Sequence, residues 1–348
     1  MLTRLPVRLP LAPMRILLVT PSEGSVHTGN LTTSRRWVGI LRELGHEVTL
    51  ARTGPGPGQN VVSAEADADV LVALHAYKCS GPVLRFRKRH PHRPVVVALT
   101  GTDLYRDLER EEAAIRCLEA ADRLVALHDR ARDAVPARFR PRLVVIHQSV
   151  NPADGDEAIP EGSDAPNTFP VAVVAHLRDV KDPLLTAQAA RLLPERSLIQ
   201  ILHVGAALTD EWEALARREV LENPRYRWLG ERPRGQVQRL LATSRLLSLT
   251  SRLEGGANVL SEAVVAGTPV VSSRIPGSVG LLGASYPGYV PVGDASALAR
   301  CLLRAEEDAV FYRALQEGCR QVLPLFRPER EREAWRRLLA SLPSWTGD

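Results

Sequence analysis

Two carboxylates with seven residues between them, Glu254 and Glu262, flank the turn Gly255-Gly256-Ala257-Asn258-Val259. The apolar run at 245–250 has the composition of a buried strand. Glu254 therefore falls just past a strand's carboxyl end, where open α/β sheets bind ligands. Gly255 and Gly256 let the backbone approach a ligand closely, and Asn258 is placed to cap a helix that runs to Ala266 and stops at Gly267. The amides of Ala257, Asn258 and Val259 would then face an anion. A diphosphate is favoured there by the exposed N–H groups and the helix dipole, without a metal. A carboxylate suits two neighbouring hydroxyls, as in a ribose or a hexose. The plainer alternatives are a solvated loop for Glu254 and an acidic residue near a helix start for Glu262. A second cluster, His176-Leu177-Arg178-Asp179-Val180-Lys181-Asp182-Pro183, follows the apolar run at 171–175. A departing diphosphate gains negative charge in the transition state, and fixed cations such as Arg178 and Lys181 would lower that barrier.

The elements that must hold these groups alternate along the chain. From Met14 the pattern predicts a strand, a glycine loop and a helix through Leu44, then strands near 48–51, 70–74, 95–99, 124–127 and 143–146. Residues 150–168, rich in Asp, Pro, Gly and Asn, have no apolar period and predict a linker. Strands recur near Val171, Ile199, Tyr226, Leu246 and Val270. Such alternation implies an α/β fold with parallel sheets. In the tail at 328–339, Trp335, Leu338 and Leu339 share one helical face. Residues 1–13 carry two arginines and three prolines with no clean apolar stretch, which makes a poor signal peptide, and Met14 is an alternative start.

Glu254 and Glu262, followed by Ala263, Gly267 and Pro269, resemble the paired-glutamate signature of the family 4 retaining glycosyltransferases. That resemblance implies the GT-B fold, two Rossmann-like domains facing a cleft: 14–160 for the acceptor, 161–325 for the nucleotide-sugar, and 326–348 as a helix packing back on the first, after the extension at 1–13. It implies Glu254 beside the donor hexose, Glu262 on the ribose, Arg178 and Lys181 on the diphosphate, and Arg232 by the uracil. Gly24, Gly29 and Asn30 resemble the family's first glycine loop, near donor phosphate or acceptor. Thr100-Gly101-Thr102-Asp103 resembles its His-Gly-x-Asp segment, which implies Thr102 and Asp103 close to the sugar. Thr100 stands where the family has His, and this departure leaves room for a small inorganic acceptor. The runs at 15–21, 29–37, 71–76, 99–107 and 280–289 further resemble the selenosugar synthases of selenoneine biosynthesis. That narrower resemblance implies transfer of selenium from selenophosphate to the anomeric carbon of a UDP-sugar, typically UDP-N-acetylglucosamine. It also implies a functional link to a selenophosphate synthase. A conventional family 4 transferase with a sugar or small-molecule acceptor, a GT-B epimerase and a nucleotide-sugar sensor are the alternatives.

The chain of 348 residues is longer than one core usually organises. A net charge of +5 suits anionic substrates but is mild for this length, so nucleic-acid binding is not required. No apolar run reaches the roughly 20 residues that span a bilayer, and no membrane partner is expected. Four scattered cysteines fit a reducing cytoplasm. Asp67-Ala68-Asp69 precedes a strand, at the sheet end away from ligand sites, so it predicts a surface turn; no metal or cofactor is expected. His75, His128, His147, His176 and His203 all fall at strand carboxyl ends without helical ligand spacing. His75, with Lys78 three residues on, is the candidate for an anionic acceptor, and Arg35 and Arg36 are candidates for the same anion.

Overall fold

The computed structural model describes residues 12–22, 29–54, 67–151 and 167–343. Two six-stranded parallel sheets form the scaffold. The first contains β1 (Arg15–Pro21), β2 (Glu47–Thr53), β3 (Val70–Leu74), β4 (Val95–Ala98), β5 (Arg123–Ala126) and β6 (Leu143–Val145), in the order β2-β1-β3-β4-β5-β6. The second contains β7 (Phe169–Val174), β8 (Ile199–Val204), β9 (Tyr226–Trp228), β10 (Leu246–Leu249), β11 (Val270–Ser273) and β12 (Tyr289–Val290), in the order β12-β11-β10-β7-β8-β9. All five residues of β3 and all four of β4 and β10 are buried, as strands covered by helices on both faces require. Strand order reverses beside β1 and beside β7, and each reversal opens a crevice at the strands' carboxyl ends. β12 escaped the sequence pattern because two residues carry no period. The Asp67–Asp69 segment sits before β3, where Asp69 accepts the Arg15 N–H at 2.8 Å and pairs with its guanidinium at 2.9 Å.

The C-terminal helix Pro328–Ala340 follows the second sheet in the chain yet packs into the core of the first. Proline at its first position is pre-set for helix entry. Trp335, Leu338 and Leu339 join Ile16, Leu18, Trp37 and Val72 in one apolar cluster, and the Trp335 ring meets Trp37 edge-on with centroids 4.8 Å apart. Trp37 belongs to the first helix, Gly29–Glu43, whose buried residues Leu31, Ser34, Trp37, Val38 and Leu41 recur at helical spacing.

One carboxylate in this interface is 1% exposed. Glu331 accepts the Trp37 indole N–H at 2.7 Å, the Arg36 Nε–H at 3.1 Å and the Ser149 backbone N–H at 2.7 Å. Three segments distant in sequence are thereby tied to one charge. Removing it would strand a buried guanidinium and three buried donors, the third being the Ser149 hydroxyl, at a cost of about 3–5 kcal/mol. The expected outcome for Glu331→Ala is a urea midpoint well below that of Glu331→Gln, which keeps one acceptor oxygen. Equal midpoints for both variants and the unsubstituted protein would show that the contact carries no stability.

Candidate active site

A cleft of about 1090 Å³ lies between the carboxyl edges of the two sheets. Its walls carry nine Lys or Arg residues against five Asp or Glu, so the field inside favours an anion. On the side of the second sheet, Arg178 and Lys181 follow β7, while Leu253 to Val259 and Glu262 follow β10. The Lys181 ammonium pairs directly with Glu254 Oε1, which also accepts the Ser251 hydroxyl at 2.7 Å. Thr250 holds the backbone under Lys181 by donating to the carbonyls of Lys181 and Asp182, at 3.2 and 2.9 Å. Asp182 sits in the left-handed region with φ 45° and pairs with Arg252 at 2.9 Å, which fixes the turn carrying the lysine.

Glu262 lies in the second turn of the helix Asn258–Ala266, its side chain 10% exposed and 3.5 Å from the Arg234 guanidinium. Burial raises its carboxyl above the ordinary glutamate range, and Arg234 and Arg36 pull it partly back. Arg232 also lines the cleft and donates to the Glu231 carbonyl at 3.2 Å.

The structure corrects two local readings of the glycine turn. Asn258 is the first residue of its helix and Ala257 occupies the cap position without a side-chain bond. The asparagine instead bridges the cleft: its Nδ2 donates to Gly29 O at 3.3 Å and Thr33 Oγ1 at 3.2 Å, and its Oδ1 accepts from Arg36 at 3.0 Å. Gly255 and Gly256 serve close approach between the two halves of the protein. A Cβ on Gly255 would stand 2.3 Å from Thr100 C and one on Gly256 2.6 Å from Leu127 Cβ. Gly101 meets the same restriction from the other side, 2.8 Å from Gly255 N.

Arg36 is a structural cation, spent on Glu331 and Asn258. With the Gln148 amide oriented to satisfy both of its atoms, its nitrogen donates to the Gly256 carbonyl at 2.8 Å and its oxygen accepts from Arg36 at 3.1 Å.

Asp103 is 0% exposed and is not a cleft group. Its oxygens accept the Thr100 N–H at 2.7 Å, the Thr100 hydroxyl at 2.8 Å and the Ala76 N–H at 2.8 Å. His75, 1% exposed, lies behind the wall and bonds to Thr102 Oγ1, which does line the cleft. These two placements correct the expectation of direct sugar or acceptor contact, because both side chains are consumed in holding the Thr100–Thr102 loop. Gly29, Asn30, Lys78 and Arg35 line the cleft, and Gly24 lies outside the described residues. Of the five strand-end histidines only His176 reaches the cleft, with its Nδ1 accepting from Ala206 N at 3.0 Å. Sequence reasoning missed Glu331, Ser251, Gln148 and Arg234, none of which belongs to a local motif. Glu331 alone carried a signal, a charge on the apolar face that includes Trp335 and Leu338.

Residues 156–322 match the family profile described as Glycosyl transferases group 1. The match covers just under half of the chain. The whole scaffold is GT-B, with two facing parallel sheets and the returning C-terminal helix. Among solved structures, that of Anabaena HepE in complex with UDP and glucose superposes with a TM-score of 0.71 at 19% identity, covering 94% of this chain and 100% of that one. The sucrose-phosphate synthase of Thermosynechococcus elongatus superposes at 0.70 and 16% identity, covering 94% and 100%. The trehalose-6-phosphate synthase OtsA reaches 0.71 at 14%, covering 94% and 98%. Among the described residues no group of three or more His, Cys, Asp or Glu is placed to hold a metal ion, and no helix is long and apolar enough to cross a membrane.

Two outcomes follow for this scaffold. Gly255→Ala should hold the domains apart, raising the radius of gyration in solution scattering while far-ultraviolet dichroism stays unchanged; an unaltered radius would show that the glycine contact is dispensable. Burial lowers His128 and His203 from 6.5 to about 4. Between those values the unfolded chain binds protons that the folded chain refuses, so stability should fall as pH drops from 6.5 and level off near 4. His203→Gln should remove about one proton from the slope of the urea midpoint over that window.

Proposed function

We propose that this protein is a UDP-sugar-dependent glycosyltransferase whose acceptor is selenophosphate, yielding a selenosugar from UDP-N-acetylglucosamine. The observation that carries the donor half is the pairing of Lys181 with Glu254 beside Arg178, Glu262 and the amides of Ala257 to Val259, all on one wall of the cleft. HepE, of similar fold, was crystallised with UDP and glucose, which supports a nucleotide-sugar on the same wall. Resemblance to the selenosugar synthases supports the acceptor half, as does the cationic opposite wall with Lys78, Arg35 and Arg106.

In this reading Glu262 holds the ribose hydroxyls, Arg232 lies by the uracil, and Glu254 attends the hexose. Arg178 and Lys181 stabilise the charge that gathers on the β-phosphate as the bond from the anomeric carbon to oxygen breaks. The electron pair leaves with UDP. Selenium, anionic in selenophosphate, forms the new bond to carbon without a strong general base, and water later cleaves the selenium–phosphorus bond to release phosphate. The fixed cations take the task a divalent ion would otherwise have. A conventional transfer to a sugar phosphate is the second reading, favoured by the same cationic wall and by the fold shared with sucrose-phosphate and trehalose-6-phosphate synthases.

The protein incubated anaerobically with UDP-N-acetylglucosamine, enzymatically generated selenophosphate and chelator should release UDP and a selenium-bearing sugar, seen by mass spectrometry. UDP release without the selenium product would sink the acceptor assignment. Arg178→Ala should lower kcat by about a hundredfold. Glu262→Ala should chiefly raise the donor KM, and small equal effects of both would overturn these roles.

A further inference from the structure

The strained residue His75 lies under the wall opposite the donor groups. Its φ of 88° is left-handed, a conformation uncommon outside glycine and kept where its surroundings hold it. The enforcement is visible in its bonds. The Lys78 backbone N–H donates to His75 Nδ1 at 3.2 Å, so Nδ1 carries a lone pair and Nε2 carries the proton. Asp107 Oδ2 lies 3.8 Å from Nε2 and Asp103 Oδ2 3.9 Å from Nδ1, so the two carboxylates balance and the Lys78 N–H sets the tautomer. His75 Nε2–H therefore donates to Thr102 Oγ1 at 2.9 Å. Thr102 makes no other side-chain hydrogen bond among the described residues, and it lines the cleft. With its oxygen already accepting, the Thr102 hydroxyl directs its own hydrogen away from His75, toward the cleft.

Two cations share that stretch of wall. Arg106 follows Thr102 by four residues within the same helical turn and so lies on the same face. Its Nε donates to Asp107 Oδ1 at 2.7 Å, and the residue lines the cleft with that bond leaving the two outer guanidinium nitrogens as further donors. Lys78 lines the cleft from the loop that holds His75. Neither nearby carboxylate lines the cleft: Asp103 is spent on Thr100 and Ala76, and the buried Asp107 pairs with the Arg106 Nε.

We infer that Lys78, Thr102 and Arg106 form a binding subsite for a phosphate-type oxyanion of the acceptor, with His75 as the positioning residue that aims the Thr102 hydroxyl. This rests on the donor lying on the opposite wall. A tetrahedral oxyanion takes one neutral O–H and two cationic donors on three of its oxygens and leaves the fourth substituent, the nucleophile, toward the donor's anomeric carbon. The same chemistry would serve a free inorganic anion or the phosphate of a phosphorylated sugar.

Binding of inorganic phosphate and of glucose 6-phosphate to the UDP-saturated full-length protein, by calorimetry, tests the subsite. Failure to bind UDP would defeat the donor reading, independently of what phosphate does. With UDP bound, phosphate should still bind, tighter than glucose 6-phosphate if the acceptor is a free anion and weaker if it is a sugar phosphate. Thr102→Val and Arg106→Ala should each weaken the anion about tenfold at unchanged UDP affinity, while Thr102→Ser retains it. His75→Gln should weaken it in the native background and have no further effect in Thr102→Val, because the two act as one unit. Selective ¹⁵N-histidine spectra of the unsubstituted protein should show the Nε2–H tautomer at His75, a readout that needs no variant to fold. Full anion affinity in Thr102→Val, displacement of phosphate by UDP, additive effects of the two substitutions, or an Nδ1–H or doubly protonated His75 would each overturn the proposal.

Discussion

The buried carboxylate of Glu331 is the constraint on which the arrangement depends. A full charge taken out of water is stable only if every lone pair is met by a donor, and here the donors come from the first helix and from the segment after β6. The helix that closes the chain is thus fixed in rotation as well as position. Its apolar face alone, Trp335 with Leu338 and Leu339, would allow sliding. Arg36, held by the same carboxylate, then reaches Asn258 at the start of the helix that carries Glu262. The placement of the wall that carries Glu262 therefore depends on a contact made on the opposite side of the cleft.

Close backbone approach supplies the second constraint. Thr100 and Gly101 of one half press against Gly255 of the other, with no room for a side chain between them. Electrostatic and steric constraints act at different places and fix the same cleft width. Neither is a feature of either half taken alone, since each needs a group from both sheets.

The fold class was legible because apolar runs bounded by turn residues repeat on an α/β rhythm, and β3 and β10 match that rhythm closely. The glycine turn, the helix from Asn258 to Ala266 and the cationic segment after β7 were legible for the same reason: each is a local signal at a strand end. What the sequence hid was pairing at a distance. Glu331 lies 294 residues from Trp37, and Asn258 lies 222 from Arg36, so no local window holds both partners. His75 and Asp103 were placed at the right strand ends but on the wrong side of the wall. Position along a strand sets height in the sheet, whereas the direction of a side chain after the strand depends on loop dihedrals, such as the 88° φ of His75, that no periodicity encodes.

The ion pair between Lys181 and Glu254 has a further consequence. Each partner masks the charge of the other. On the proposed reading, a diphosphate arriving at Lys181 would compete for the ammonium and unmask the carboxylate, still tethered by the Ser251 hydroxyl. The negative charge suited to an electron-deficient sugar carbon would then be delivered by the nucleotide itself, as an exchange of partners.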